Sequence, residues 1–240
     1  MAPHLIIALD FHDAGAALRT VKSIGDAGVF YKVGLELFIS GGYKILPKLT
    51  GMGKKVFLDL KIHDIPNTAA KAALSSLDYG ADIINLHTQG GREMMMRSAE
   101  ALTEICAKKG IPKPLLIGVT LLTSLDEGYL REYKVSCASS DDYVLHLAGM
   151  AKEAGLDGVV SSARETVAIK NALGKDFITI TPGVRLTGSD NHDQKRVVTP
   201  EDAARIGTDY IVMGRPITGS DNPKEVTQKV LAALQYNKTL

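Results

Sequence analysis

The chain has 240 residues, 45% of them hydrophobic, and sets 28 basic against 27 acidic side chains for a formal charge of +1. That length suits one α/β barrel or two smaller domains, and balanced, scattered charge argues against nucleic acid or another polyanion as partner. The first apolar run, "LIIAL" at 5–9, stops at Asp10, far short of a membrane span or a signal-peptide core, so a soluble, cytoplasmic protein with no membrane partner is expected.

In chain order, short apolar runs rich in β-branched residues follow one another: "LIIAL" (5–9), "FYKVG" (30–34), "KVFLDL" (55–60), "DIINLH" (82–87), "LLIGVT" (115–120), "DGVVSS" (157–162), "FITITPG" (177–183) and "YIVMG" (210–214). Between them lie segments with apolar residues at helical spacing, among them 68–77, 92–108, 142–154 and 201–206. Alternating strands and helices imply right-handed crossovers and a parallel sheet. Eight such units predict a closed (β/α)8 TIM barrel, with 1–240 as a single domain. A doubly wound sheet fits less well, because the first strand runs into "LDFHDAGAA" with no GxGxxG. Cys106 and Cys137 lack CxxC spacing and are expected to be free thiols without a catalytic role. "REMMMRSAE" reads as core methionines on a helix.

Polar residues at the C-terminal ends of barrel strands carry the most functional weight. Those ends hold Asp10, Lys32, the group Asp59, Lys61 and Asp64, Asn85 with His87, Thr120 with Thr123, Ser161 with Ser162, and Arg185 and Arg215 beside glycines. In "FLDLKIHDIPNT" (57–68), strand alternation puts Phe57, Asp59, Lys61 and His63 on one face, with Leu58, Leu60 and Ile62 on the other. Taken alone, this is a structural Asp–Lys pair, since buried ions are costly unless partnered. "TPGVR" and "MGRPIT" each set a glycine beside an arginine, in the loops after strands seven and eight where this fold binds phosphate; turn glycines with solvated arginines are the alternative. A phosphorylated small molecule fits these features.

With these residues in view, the chain resembles the orotidine 5'-phosphate decarboxylases. "LDLKIHDIPNT" matches their D-x-K-x-x-D-I-P-N-T signature, and "IALD", "YKVG", "GVTLLTS", "TPGVR", "DQKR" and "VMGRPIT" fall in that family's order, in a bacterial-type pattern from residue 5 to about 220. The resemblance implies decarboxylation of orotidine 5'-monophosphate to uridine 5'-monophosphate, without cofactor or metal, by a homodimer with composite sites. It assigns Lys61 as proton donor to C6 within an alternating array of Lys32, Asp59, Lys61 and Asp64, in which Asp64 and Thr68 reach into the partner's site. Asp10 and Lys32 would bind ribose hydroxyls, Thr123 the pyrimidine amide, and Arg185, Gln194, Gly214 and Arg215 the phosphate. Ile65 and Pro66 belong to the signature's substrate-binding stretch, and Pro66 fits a first helical turn.

The residue chemistry agrees with that assignment. Loss of CO2 from C6 leaves electron density in the ring plane, where the π-system does not delocalise it, so a cation that can also give a proton is required. Asp59, about 6–7 Å from Lys61 along the strand, is its first neighbour. Asp10 is equally readable as a cap for a helix near 12–18. The segment 187–197 reads as a lid over the phosphate or as an ordinary loop. His87 is expected to be a core histidine satisfied by backbone, and His63 has no chemical step. A metal-dependent sugar-phosphate decarboxylase would need an acidic ligand where Lys32 stands. A catalytically silent barrel would be expected to have lost Lys61 or an aspartate.

Overall fold

The structure is a computed structural model that describes residues 2–186 and 198–235. The elements run β1 (His4–Ala8), α1 (Ala14–Ile24), β2 (Phe30–Gly34), α2 (Leu35–Gly41), α3 (Ile45–Gly51), β3 (Lys55–Ile62), α4 (Pro66–Ser75), β4 (Ile83–His87) and α5 (Arg92–Lys109). They continue with β5 (Leu115–Val119), α6 (Glu127–Glu132), α7 (Ser140–Glu153), β6 (Gly158–Val160), α8 (Ala163–Leu173), β7 (Ile178–Pro182), α9 (Pro200–Ile206), β8 (Tyr210–Met213), α10 (Arg215–Thr218) and α11 (Pro223–Gln235). All strand pairs are parallel, and β8 closes on β1 to complete an eight-stranded (β/α)8 barrel. All eight predicted runs are strands, with ends shifted by a residue or two. The change that bears on the site is at β3, which continues to Ile62 and so takes in Lys61.

Two apolar layers follow from the period-two alternation of each strand. Ile6 on β1, Phe30 on β2, Phe57 on β3, Ile83 on β4 and Ile180 on β7 fill the barrel. Their chain neighbours Ile7, Tyr31, Leu58 and Ile84 point outward into the layer shared with the helices. Each inward series then turns polar toward the C-terminal end: Ile6, Ala8, Asp10; Phe30, Lys32; Phe57, Asp59; Ile83, Asn85, His87. The apolar base plugs the barrel and the polar rim is left to face a ligand. Met94 and Met95 of α5 are buried in the outer layer, whereas Met96 faces solvent.

A recurring clip ties the opposite, N-terminal end. The aspartate before each of β4, β6 and β8 accepts a backbone N–H from the preceding strand: Asp82 from Val56 (2.8 Å), Asp157 from Leu116 (2.7 Å) and Asp209 from Thr179 (2.7 Å). Lys113 and Lys170 neutralise the second and third, each at 2.6 Å. These carboxylates satisfy strand-end donors and belong to stability, not to the rim's chemistry.

Local signals set the helix starts. Asp13 caps α1, its Oδ1 accepting from Ala16 N at 2.6 Å, which corrects the reading of Asp10 as that cap. The bonds to the Ala16 and Gly15 backbone lower the Asp13 pKa below the ordinary aspartate value. Pro66 opens α4 at its first position, two residues earlier than the apolar spacing alone predicts, because proline lacks the N–H that a first turn leaves unused.

Candidate active site

The rim of β1–β4 gathers a row of four charges. Lys32 Nζ lies 2.9 Å from Asp10 Oδ1 and 3.3 Å from Asp59 Oδ2, and Lys61 Nζ lies 2.7 Å from Asp59 Oδ1. Asp59 thus bridges two lysines with its two oxygens, and its side chain is only 10% exposed. Burial works against the Lys32 ammonium, but the Asp59 and Asp10 carboxylates outweigh it and hold the Lys32 pKa above the ordinary lysine value.

Simple alternation does not account for the place of Lys61. Between the pairs Leu58↔Ile84 and Ile62↔Leu86, β3 advances from 58 to 62 while β4 advances only from 84 to 86, so β3 bulges. Within the bulge Lys61 takes a left-handed backbone, φ 53°, a conformation that costs a non-glycine residue about 1 kcal/mol or more. Asn85, fully buried on β4, faces the bulge. Its Oδ1 accepts from Lys61 N at 2.8 Å, and its Nδ2 donates to Asp59 Oδ1 at 2.7 Å. Sequence reasoning noted Asn85 only as a strand-end residue; the signal available was an amide inside the apolar run "DIINLH".

Gly34 is the second residue that sequence reasoning left without a role. A Cβ there would stand 2.7 Å from Lys32 Nζ, so the glycine keeps the space that the lysine needs.

Beside the row lies a cavity of about 200 Å3, lined by Lys32, Asp59, Lys61 and Asn85 on one side and by Leu121, Thr123, Val160, Ile180 and Pro182 on the other. A second opening of about 500 Å3 shares Lys32 with it and is walled by Asp10, Gly183, Arg185, Gly214 and Arg215. Arg185 is buried, its Nε has no hydrogen-bond partner, and it forms no ion pair among the described residues. A buried cation without a counter-ion favours an incoming anion. The barrel's other end has a larger opening, about 630 Å3, but among the described residues no row of paired charges lines it.

Asp10, Lys32, Asp59, Lys61, Thr123, Arg185, Gly214 and Arg215 are therefore brought together. Asp64 is not: it is exposed just beyond β3, its Oδ1 accepts from Ile65 N at 2.7 Å, and it forms no ion pair among the described residues. Ile65 and Thr68 are exposed beside it. Gln194 and the whole segment 187–197 lie outside the described residues.

His87 needs a correction. Its buried Nδ1 has no hydrogen-bond partner among the described residues, and the ring instead packs against His63 with centroids 5.4 Å apart. Burial, then the neighbouring His63 and Lys61, push its pKa below the ordinary histidine value.

The chain is similar to known proteins in sequence and in fold. A protein from Carboxydothermus hydrogenoformans named orotidine 5'-phosphate decarboxylase is 43% identical over 235 residues, 98% of this chain and 97% of its own. One of the same name from Legionella pneumophila is 46% identical over 98% of this chain and 100% of its own. The crystal structure of orotidine 5'-phosphate decarboxylase from Lactobacillus acidophilus matches with a TM-score of 0.84 and 35% identity, covering 98% of this chain and 99% of that one. The model of the family described as orotidine 5'-phosphate decarboxylase / HUMPS matches residues 3–230, and with relatives this similar over nearly their whole length, the chain belongs to that family.

Proposed function

We propose that this chain decarboxylates orotidine 5'-monophosphate to uridine 5'-monophosphate in de novo pyrimidine synthesis, without a cofactor, as a single-domain enzyme. The observation that carries this reading is the row Asp10–Lys32–Asp59–Lys61 set against a cavity of ring size. The pyrimidine occupies that cavity with its amide toward Thr123. The ribose lies over Asp10 and Lys32, and the phosphate reaches Arg185, Gly214 and Arg215.

The C6–carboxylate bond then breaks heterolytically. CO2 leaves, the electron pair stays on C6, and Lys61 transfers one proton from its ammonium to that carbon. The neutral amine regains its proton from solvent. A fixed ammonium attracts the developing carbanion more than it attracts the ground state, and that difference is what accelerates the step. Asp59 holds Lys61 within reach of C6.

The homodimer reading draws on Asp64, Ile65 and Thr68, which stand exposed beyond β3 and form no hydrogen bond or ion pair with their own chain's row among the described residues. In a two-fold pair, Asp64 and Thr68 would complete the neighbouring site. A metal-dependent sugar-phosphate reading is disfavoured by Lys32, whose ammonium bridges Asp10 and Asp59 where a metal would need anionic ligands.

The experiment is direct. Orotidine 5'-monophosphate is mixed with chelator-treated protein, and its absorbance band is followed. Disappearance of the band with stoichiometric uridine 5'-monophosphate is expected. An unchanged band with folded protein would remove the proposal.

A further inference from the structure

We infer that Asn85 is the positioning residue that sets Lys61 and Asp59 for proton transfer; the inference rests on the decarboxylase reading above. Three observations converge on it. Asn85 is fully buried on the inward face of β4. It bonds both members of the pair, accepting from the Lys61 backbone N–H and donating to the Asp59 oxygen that also receives Lys61 Nζ. It sits opposite the β3 bulge in which Lys61 is held at φ 53°.

Only one orientation of the amide serves. With Oδ1 toward the Lys61 N–H and Nδ2 toward Asp59, both contacts are hydrogen bonds; the flipped amide would set a carbonyl against a carboxylate and an NH2 against an N–H. The bulge removes the ladder partner of the Lys61 N–H, and the Asn85 side chain replaces it. One amide therefore stabilises the left-handed backbone from which the Lys61 side chain rises and also locks the rotamer of the carboxylate that receives it. Strain of this kind persists only where neighbours over-determine it. No apolar residue of the same size does both, and leucine or valine would leave a buried carboxylate oxygen and a buried N–H short of partners.

Asn85→Ala and Asn85→Asp test this, with kcat expressed per folded site and product binding measured by calorimetry with uridine 5'-monophosphate. A misplaced proton donor costs on the order of 100-fold in kcat, so Asn85→Ala is expected to lose about that much while the product Kd stays within about threefold. In Asn85→Asp the introduced carboxyl, buried against Asp59, protonates more readily than a free aspartate. Once protonated it can again donate to Asp59 and accept from Lys61, so its activity relative to wild type should rise as pH falls. A residue that merely supports the fold would not produce that profile.

A kcat per folded site within about threefold of wild type in Asn85→Ala, or equal losses in kcat and product affinity, would overturn the inference. If the wild-type protein proves inactive on orotidine 5'-monophosphate, the decarboxylase reading fails separately. The crystal structure of Asn85→Ala then decides the positioning claim. Lys61 relaxing to negative φ or parting from Asp59 supports it, and an unchanged Lys61 refutes it.

Discussion

Gly34 and Lys32 stand in a steric relationship that explains a glycine at the end of β2: a Cβ at 34 would come within 2.7 Å of Lys32 Nζ and 3.5 Å of Asp10 Oδ1. The Gly34 backbone, at φ −93° and ψ −176°, is open to any residue, so the demand is for space alone. Gly34→Ala is therefore expected to fold normally, displace the Lys32 ammonium from its two carboxylates and lower kcat/KM on the order of 10- to 100-fold. Steady-state kinetics beside a melting curve checks this; wild-type kinetics in the variant would show that Lys32 has slack.

Lys61 meets Asp59 at 2.7 Å with the cavity beside it. Lys61→Ala should abolish turnover while uridine 5'-monophosphate still binds, because the ribose and phosphate contacts proposed above lie elsewhere. Retention of even a tenth of kcat, a loss of only about 1.4 kcal/mol, would discard Lys61 as proton donor. Mixed with Asp64→Ala, the inactive Lys61→Ala chain should regain partial activity, since one site of each heterodimer would be intact. No recovery in samples shown by mass to contain heterodimers would mean that Asp64 acts within its own chain.

Arg185 lines the opening of about 500 Å3, its Nε is buried, and it has no ion-pair partner among the described residues, an arrangement in which a bound anion would be favourable. Arg185→Met should leave the ligand-free Tm unchanged or higher. It should also abolish most of the stabilisation that saturating ligand confers, about 2.7 kcal/mol at a hundred times Kd. Thermal melts with inorganic phosphate and with uridine 5'-monophosphate read both effects. An undiminished ligand-induced rise would place the phosphate away from Arg185.

The His87 pKa lies below its ordinary 6.5 because burial, His63 and Lys61 all oppose a second positive charge. The unfolded chain therefore binds the proton first. The stability tied to neutral His87 is fully present above about pH 6.5 and is lost as pH falls through the lower folded value. Urea melts across that range should show a smaller acid loss in His87→Asn than in wild type. NMR titration of the His87 ring at or above the free-histidine value would contradict the assignment.

Asp209 clips the barrel's N-terminal end through Thr179 N and Lys170, far from the rim. Asp209→Ala strands that buried N–H and removes the counter-ion of a lysine that is only 13% exposed, although Lys170 keeps its bonds to the Lys175 and Phe177 carbonyls, and should cost about 1–3 kcal/mol. The kcat per folded molecule is expected to be unchanged, which active-site titration against a melting curve would check.

Read residue by residue, the linear chain was enough for the barrel and for most of the residues that its rim brings together. Eight β-branched runs alternating with helical spacing admit few closed arrangements, and the fold's rule that sites lie at strand C-termini singled out Asp10, Lys32, Asp59 and Lys61 before any contact was known. Both signals are local: a period of two or 3.6 residues, and position within a strand. Asn85, Gly34 and His87 were not legible in the same way, because their roles depend on register between strands. Asn85 reaches Asp59 across 26 residues of sequence, and it matters only because β3 slips two residues against β4 at that height. The Gly34 role is visible only once Lys32 has folded back over it, and that position is set by Asp10 and Asp59 on the flanking strands. The surroundings of the His87 ring are visible only once β4 is set between β3 and β5 and His63 is brought against it. Alternation tells which face a side chain takes, but packing of the closed barrel decides what stands across from it.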